Sequence, residues 1–315
     1  MSRIETIDQG KAERSVTATP ALAACDLRYS YRGTPAPVTD GVNLTIEAGE
    51  IYCLLGANGT GKTTLIRQLT GELTPDRGTA FIRGVPALQQ RATGNRGVGI
   101  LPQSANLFEA LSVRQHLVCF SELKLAGRAQ QRAAVERSID SFNLNALLRK
   151  RAGTLSLGQK RLVLVALACL GDPGLLLLDE PTVGMDPAAR RVLWEVLRDA
   201  QQRGTAILLT THYMDEAEQL ATRIGFLSQG RISHEGTLDQ LRALLGAKVR
   251  LTVRDAESSQ AIEQKFFSTP EGATTYVREK GITFYALEPL SLEDIYLELT
   301  ATAHGPNAHP QEAAQ

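Results

Sequence analysis

A chain of 315 residues, 43% hydrophobic and 22% charged, has the composition of a globular protein with room for one large domain and a small appendage. Its 34 basic and 34 acidic residues cancel, so no overall positive field marks a nucleic-acid binder. No apolar run approaches the roughly 18–20 residues of a spanning helix, and the stretch before Pro20 lacks the apolar core of a signal peptide.

Residues 1–20 read as a disordered leader. Leu22 to Tyr31 and Val42 to Ile46 read as strands, parted by Gly33-Thr34-Pro35-Ala36-Pro37. Ile51 to Leu55 is a short apolar strand, and Thr64 to Thr70 is a helix closed by Gly71. Between them lies Gly56-Ala57-Asn58-Gly59-Thr60-Gly61-Lys62-Thr63, the G-x-x-x-x-G-K-[ST] pattern in the strand–turn–helix setting that gives it meaning. Its glycines let backbone N–H groups converge on a phosphate, and the helix start adds its positive dipole end. Lys62 can reach the β- and γ-phosphates, and the Thr63 hydroxyl can hold Mg²⁺.

Gly78 to Ile82 and Gly97 to Leu101 are expected as a further β pair, with Gln103 just beyond the second. The character then turns helical: Ser112-Val113-Arg114-Gln115 reads as a capping box, and Gln130 to Phe142 as another helix. The loop Thr154-Leu155-Ser156-Leu157-Gly158-Gln159 leads into an apolar helix over Arg161 to Leu170. The basic clusters Arg149-Lys150-Arg151, Lys160-Arg161 and Arg190-Arg191 are short and read as solvated helix ends and loops. Four cysteines (Cys25, Cys53, Cys119 and Cys169) lack C-x-x-C spacing, which suits a reducing compartment better than a disulfide framework.

Leu175 to Leu178 is a continuous apolar strand ending in Asp179-Glu180, Pro187 to Arg203 an amphipathic helix, and Ala206 to Thr211 a buried strand ending at His212. Apolar strands alternating with helices indicate a largely parallel sheet covered on both faces, with ligand groups at its carboxyl ends. Asp179 then suits Mg²⁺, and Glu180 is placed to polarise an attacking water. His212 reads equally as a core histidine or as a γ-phosphate contact.

Taken together, the ordered motifs over about residues 21 to 240 resemble the ATP-binding subunits of ABC transporters. Gln103 matches the family's Q-loop glutamine, which the resemblance assigns to the metal or water. Leu155-Ser156-Leu157-Gly158-Gln159 resembles the signature, Leu175 to Glu180 the Walker B strand with its catalytic glutamate, and Gly184-Met185-Asp186-Pro187 the D-loop. His212 matches the switch histidine, and Tyr31 the aromatic that stacks on adenine, with Tyr29 as its rival. The nucleotide-contacting set is then Tyr31, Gly56, Asn58, Gly59, Thr60, Gly61, Lys62, Thr63 and Thr64, with Ser156, Gly158, Gln159 and Asp186 completing a second copy's site. Thr63, Gln103 and Asp179 are the metal set, and Glu180, His212, Gln103 and Lys62 the catalytic one. Two departures stand out: Leu157 replaces the signature's usual first glycine, and Leu162 and Leu167 occupy positions where arginines are common.

The resemblance implies an α/β fold: a P-loop NTPase with a mostly parallel sheet core, an antiparallel β subdomain and a helical subdomain at about 104–165. It implies a hydrolase using ATP and Mg²⁺, paired head to tail as a homodimer, peripheral at the cytoplasmic face of the plasma (inner) membrane beneath an integral-membrane permease, with no nucleic acid as partner. Residues 241–300 read as a small C-terminal α+β extension, with strands at Val249 to Val253 and Ile282 to Ala286, a helix at Ser291 to Leu299, and a disordered tail over 301–315. Pro289 to Leu297 and Thr211 to Glu218 resemble the drug-resistance-type exporter branch, which implies export of drugs, lipids or polysaccharide. The alternatives are a soluble ATP-dependent switch on nucleic acid or ribosomes and an importer ATPase. Against the first, such relatives usually carry two ATPase domains in one chain or a long coiled-coil insertion, and this sequence shows neither and no basic face; the exporter-like tail argues against the second.

Overall fold

The structure, a computed structural model, describes residues 19–255 and 260–304. Residues 1–18 of the leader expected over 1–20 and residues 305–315 of the tail expected over 301–315 lie outside the described residues. The chain runs β1 (Leu22–Tyr29), β2 (Thr39–Ile46), β3 (Ile51–Leu55), α1 (Lys62–Leu69), β4 (Arg77–Ile82), β5 (Val85–Pro86), α2 (Ala87–Ala92) and β6 (Val98–Leu101). It continues through α3 (Val113–Lys124), α4 (Arg128–Ser141), α5 (Leu157–Cys169), β7 (Leu175–Asp179), α6 (Pro187–Gln202), β8 (Ala206–Thr211) and α7 (Met214–Leu220). The last part holds β9 (Arg223–Ser228), β10 (Arg231–Gly236), α8 (Leu238–Leu244), β11 (Val249–Arg254), β12 (Ala261–Phe267), α9 (Pro270–Glu279), β13 (Tyr285–Pro289) and α10 (Leu292–His304).

Six strands form the central sheet in the order β10-β9-β3-β8-β7-β6, parallel except for the β9–β10 hairpin. Its inner strands are apolar on both faces, as a doubly covered parallel sheet requires. Alternate side chains feed two separate cores. Ile51, Cys53, Leu55, Leu176, Leu178, Ile207 and Leu209 face a helical core built from α3 to α8 and α10. Tyr52, Leu54, Leu175, Leu177, Ala206 and Leu208 face a core shared with α1 and the antiparallel sheet β2-β1-β4-β5. A one-residue slip of any inner strand would exchange these sets, so burial of about 2 kcal/mol per leucine fixes the register.

Three sequence expectations need correction. β4 and β6 do not pair: β4 lies antiparallel to β1, while β6 lies parallel to β7, with β5 and α2 between them in the chain. Short alternating segments carry no information about their partners. The helix expected from Arg161 begins at Leu157, because Ser156 and Gln159 form a capping box one turn earlier. The C-terminal region has three strands in the order β12-β11-β13 and two helices, with the strand expected at Ile282 to Ala286 displaced to β13. There α10 reaches His304, four residues into the expected tail. It also ties this region to the large core: Leu292, Ile295 and Leu299 are buried in it, and the Tyr296 ring meets Phe226 edge-on at 5.3 Å.

Candidate nucleotide site

The turn from β3 into α1 is built around Gly61, the N-cap, whose φ of 105° lies in the left-handed region. A Cβ there would stand 2.5 Å from the Val38 carbonyl oxygen, so only glycine fits. Leu65 N–H bonds to Gly61 O, which leaves the earlier amides of Lys62, Thr63 and Thr64 without an acceptor one helical turn back. Free amides and the helix dipole together suit an anion. Lys62 is buried, and its Nζ donates to Gly56 O at 2.7 Å and Ala57 O at 3.0 Å, folding over the loop. Desolvation lowers its pKa, against the opposing pull of Glu180 and Asp179.

Neighbouring groups converge on α1. The Thr63 hydroxyl is 3.3 Å from Gln103 Oε1, to which it donates. The Tyr31 hydroxyl lies 3.3 Å from Thr64 Oγ1 and accepts from Arg67 Nη1 at 3.4 Å. Tyr29 stays half-buried and braces the exposed Tyr31 edge-on, with ring centroids 5.0 Å apart.

At the end of β7, Asp179 pairs in register with Thr210 of β8. Thr210 Oγ1 donates to Asp179 Oδ1 at 2.6 Å, whereas Asp179 Oδ2 is buried without a hydrogen-bond partner. A buried anionic oxygen left open is costly unless a cation meets it. Asp179 Oδ2, the Thr63 hydroxyl and Gln103 Oε1 are hard oxygens, of the kind that suits Mg²⁺ completing its shell with water and phosphate. Among the described residues no group of three His, Cys, Asp or Glu side chains gathers for a more heavily liganded ion.

Glu180 adopts a left-handed φ of 49°, and its N–H is shared between Thr210 O at 3.1 Å and Thr210 Oγ1 at 3.0 Å. Its Oε1 is 3.5 Å from His212 Nδ1. His212 is therefore no core histidine: it is partly exposed at the end of β8, beside the carboxylate.

The signature residues are arranged differently. Ser156 Oγ accepts from Gln159 N–H and Gln159 Oε1 accepts from Ser156 N–H, so both polar side chains are engaged in capping α5. Leu157 beside them is 78% exposed. Gly158 packs so closely on the following loop that a Cβ would lie 2.6 Å from Gly184 O. Asp186 likewise caps α6, its Oδ1 accepting from Ala189 N–H at 2.9 Å. Ser156, Gln159 and Asp186 thus bond within their own turns, and Gly158 packs on the Gly184 loop, apart from the cluster of Lys62, Thr63, Asp179, Glu180 and His212.

A family model described as ABC transporter matches residues 39–183. The daunorubicin/doxorubicin resistance ATP-binding protein DrrA of Streptomyces peucetius is 38% identical over 259 residues, covering 82% of this chain and 78% of that protein. This chain belongs to the ABC transporter family.

As an ABC ATP-binding chain it takes ATP as its nucleotide. A solved ATP-binding subunit of an ABC transporter aligns with it at a TM-score of 0.71 and 26% identity, over 89% of this chain and 100% of that one. ATP-binding cassette sub-family A member 7 of Mus musculus is 37% identical over 247 residues, which make up 78% of this chain but only 11% of the mouse protein. The ABC chain thus spans a small fraction of that relative and most of the bacterial one.

Sequence reasoning missed two residues of this ABC site. Thr210 was read only as part of a strand; its role needs β7 and β8 to be neighbours, which no local pattern reveals. Arg161, expected in solvent, is buried. Its Nη2 donates to the carbonyl oxygens of Asp179 and, at 2.8 Å, Glu180, and its Nη1 to Gln103 O at 3.5 Å. Gly158, Arg161, Val165 and Ala168 are buried at helical spacing, but so are Leu162, Val163, Ala166 and Leu167 around them, so no distinct stripe marks Arg161 in the sequence.

Proposed function

We propose that this chain is the ATP-hydrolysing motor subunit of an ABC exporter. One arrangement supports the reading: Thr63 bonds Gln103, Lys62 feels the carboxylates of Asp179 and Glu180, and Glu180 faces His212, while Ser156 and Leu157 are exposed at the start of α5. An ATP held by the phosphate loop of one copy and the signature of another uses both halves, which makes hydrolysis conditional on dimer closure. Residues 21–240 are the ATPase unit, the helical part at about 104–165 is its permease-facing arm, and 241–300 form an accessory unit.

In the closed pair the free amides at the start of α1 and Lys62 hold the β- and γ-phosphates. Tyr31 rather than Tyr29 stacks on adenine, because Tyr31 reaches α1. Thr63, Gln103 and Asp179 hold Mg²⁺, which neutralises phosphate charge when bound. Glu180 takes the proton of the attacking water, and His212 orients Glu180 and the γ-phosphate. No helix among the described residues is long and apolar enough to cross a membrane; the exporter reading itself implies peripheral placement at the cytoplasmic face, under a separate permease. The relation to a drug-resistance ATP-binding protein supports export. Purification from detergent-solubilised native membranes tests the assignment: a membrane permease should co-purify and stimulate ATP hydrolysis. RNA or DNA in its place would overturn the reading.

A further inference from the structure

Arg161 is a buried cation whose hydrogen bonds all go to backbone carbonyls. It sits on α5, three residues after Gly158, and its acceptors are Asp179 O, Glu180 O and Gln103 O. Those carbonyls belong to the two segments that carry the metal-facing oxygens and the base. Its Nε is buried without a hydrogen-bond partner, so only the two terminal nitrogens bind. A planar guanidinium with terminal donors can span several carbonyls at once, and a lysine ammonium cannot hold the same fork.

What the fork holds is a strained turn. Glu180 has a φ of 49°, a region non-glycine residues keep only when their surroundings impose it. Thr210 fixes the amide side of this residue and Arg161 the carbonyl side. The arginine also stands on the helix whose N-terminus carries Ser156 and Gly158, so a shift of α5 reaches the Glu180 turn directly. We propose that Arg161 is a positioning residue for hydrolysis, clamping the Glu180 turn and the Gln103 backbone to α5 so that engagement of the signature by a partner's ATP sets the aim of the base. This rests on the reading of Glu180 as the base.

The test compares wild type with Arg161→Met, Arg161→Lys and Glu180→Gln in full-length protein, using ATPase kinetics, fluorescent-ATP binding and thermal melting. Misplacing a reacting group by about an ångström costs on the order of 10²-fold in rate. Arg161→Met should lower kcat by that order, while KM and nucleotide affinity stay within about threefold of wild type, the pattern of a lost transition-state interaction. Arg161→Lys should fall between Arg161→Met and wild type. If Arg161→Met does not fold, Arg161→Lys and Arg161→Gln give the same split between kcat and KM.

Unchanged kcat in Arg161→Met alongside an inactive Glu180→Gln would overturn the positioning role and leave the base assignment standing. Joint loss of melting temperature, nucleotide affinity and kcat in all Arg161 variants would reduce Arg161 to a scaffold role and also overturn it. Full activity in Glu180→Gln would remove the base assignment, and this proposal with it.

Discussion

His212 Nδ1 stands 3.5 Å from Glu180 Oε1, a pairing between the residue just after β7 and the residue just after β8. The imidazole is partly exposed, whereas the carboxylate is largely shielded by the turn that carries it. A side chain so placed can both orient the carboxylate and reach a phosphate in front of it. Replacing His212 by alanine should lower kcat by about 10²-fold or more, the usual scale for a positioned proton-handling group. Nucleotide affinity should hold, because the phosphate loop is untouched. Equal losses in kcat and affinity would place His212 in binding instead.

Asp179 predicts a metal phenotype. With Oδ1 engaged by Thr210 and Oδ2 unpartnered in a buried setting, Asp179→Asn keeps the shape and removes the charge. The Mg²⁺ concentration needed for half-maximal ATPase activity should rise by about 10–100-fold, a scale already seen when residues behind metal ligands are lost. Titration with Mg²⁺ reads this directly. An unchanged Mg²⁺ requirement would remove Asp179 from the metal set.

Glu216 on α7 should make stability depend on pH. It is buried, with Oε2 accepting from Thr182 at 3.0 Å and Oε1 from Trp194 at 3.4 Å. Burial pushes its carboxyl above the usual range, against hydrogen bonds from Thr211, Thr182 and Trp194. Between the ordinary glutamate value of about 4.3 and that raised value, the folded chain keeps a proton the unfolded chain has lost. Stability from this group is therefore complete below the unfolded value and is lost as pH rises through the folded one. Glu216→Gln should flatten that slope and be at least as stable as wild type at about pH 8. Urea midpoints across the range test it, and an undiminished slope in the variant would contradict it.

Gly158 should tolerate no side chain. A Cβ would meet Gly184 O at 2.6 Å and Met185 Cα at 3.1 Å, both backbone atoms that cannot swing aside. Gly158→Ala should cost about 1–3 kcal/mol, as overpacking does. It should also weaken ATP-driven dimerisation more than ATP binding by the single chain. Urea denaturation and size-exclusion chromatography with ATP measure the two effects. A stable variant that dimerises normally would show that the signature does not need this close approach.

The parts of the site legible in the sequence are those whose chemistry is contiguous. The stretch Gly56 to Thr63 carries its own turn, donors and cation, and Leu175 to Glu180 carries both its strand and its carboxylates. What escaped is nonlocal. Thr210 matters only because β8 lies between β3 and β7, an order set by packing of the whole sheet. Arg161 was obscured by Lys160, since two adjacent cations look like a solvated run until helix phase separates them. In the C-terminal region α9 was missed although Thr269 caps it and Pro270 opens it, a boundary signal without a strong apolar stripe to follow. β12 carries Glu263, Gln264 and Lys265 among its apolar residues and leaves one edge unpaired, so its pattern is too polar to read as a strand.

Glu180 is proposed as the base of a site completed only between two copies. The direct measurement is ATP hydrolysis and ATP-dependent dimerisation of wild type against Glu180→Gln, under the same Mg²⁺ and nucleotide concentrations. Glu180→Gln should lose hydrolysis by about 10²-fold or more while forming a longer-lived dimer with ATP. Hydrolysis at the wild-type rate in Glu180→Gln, or full activity from a strictly monomeric chain, would contradict it.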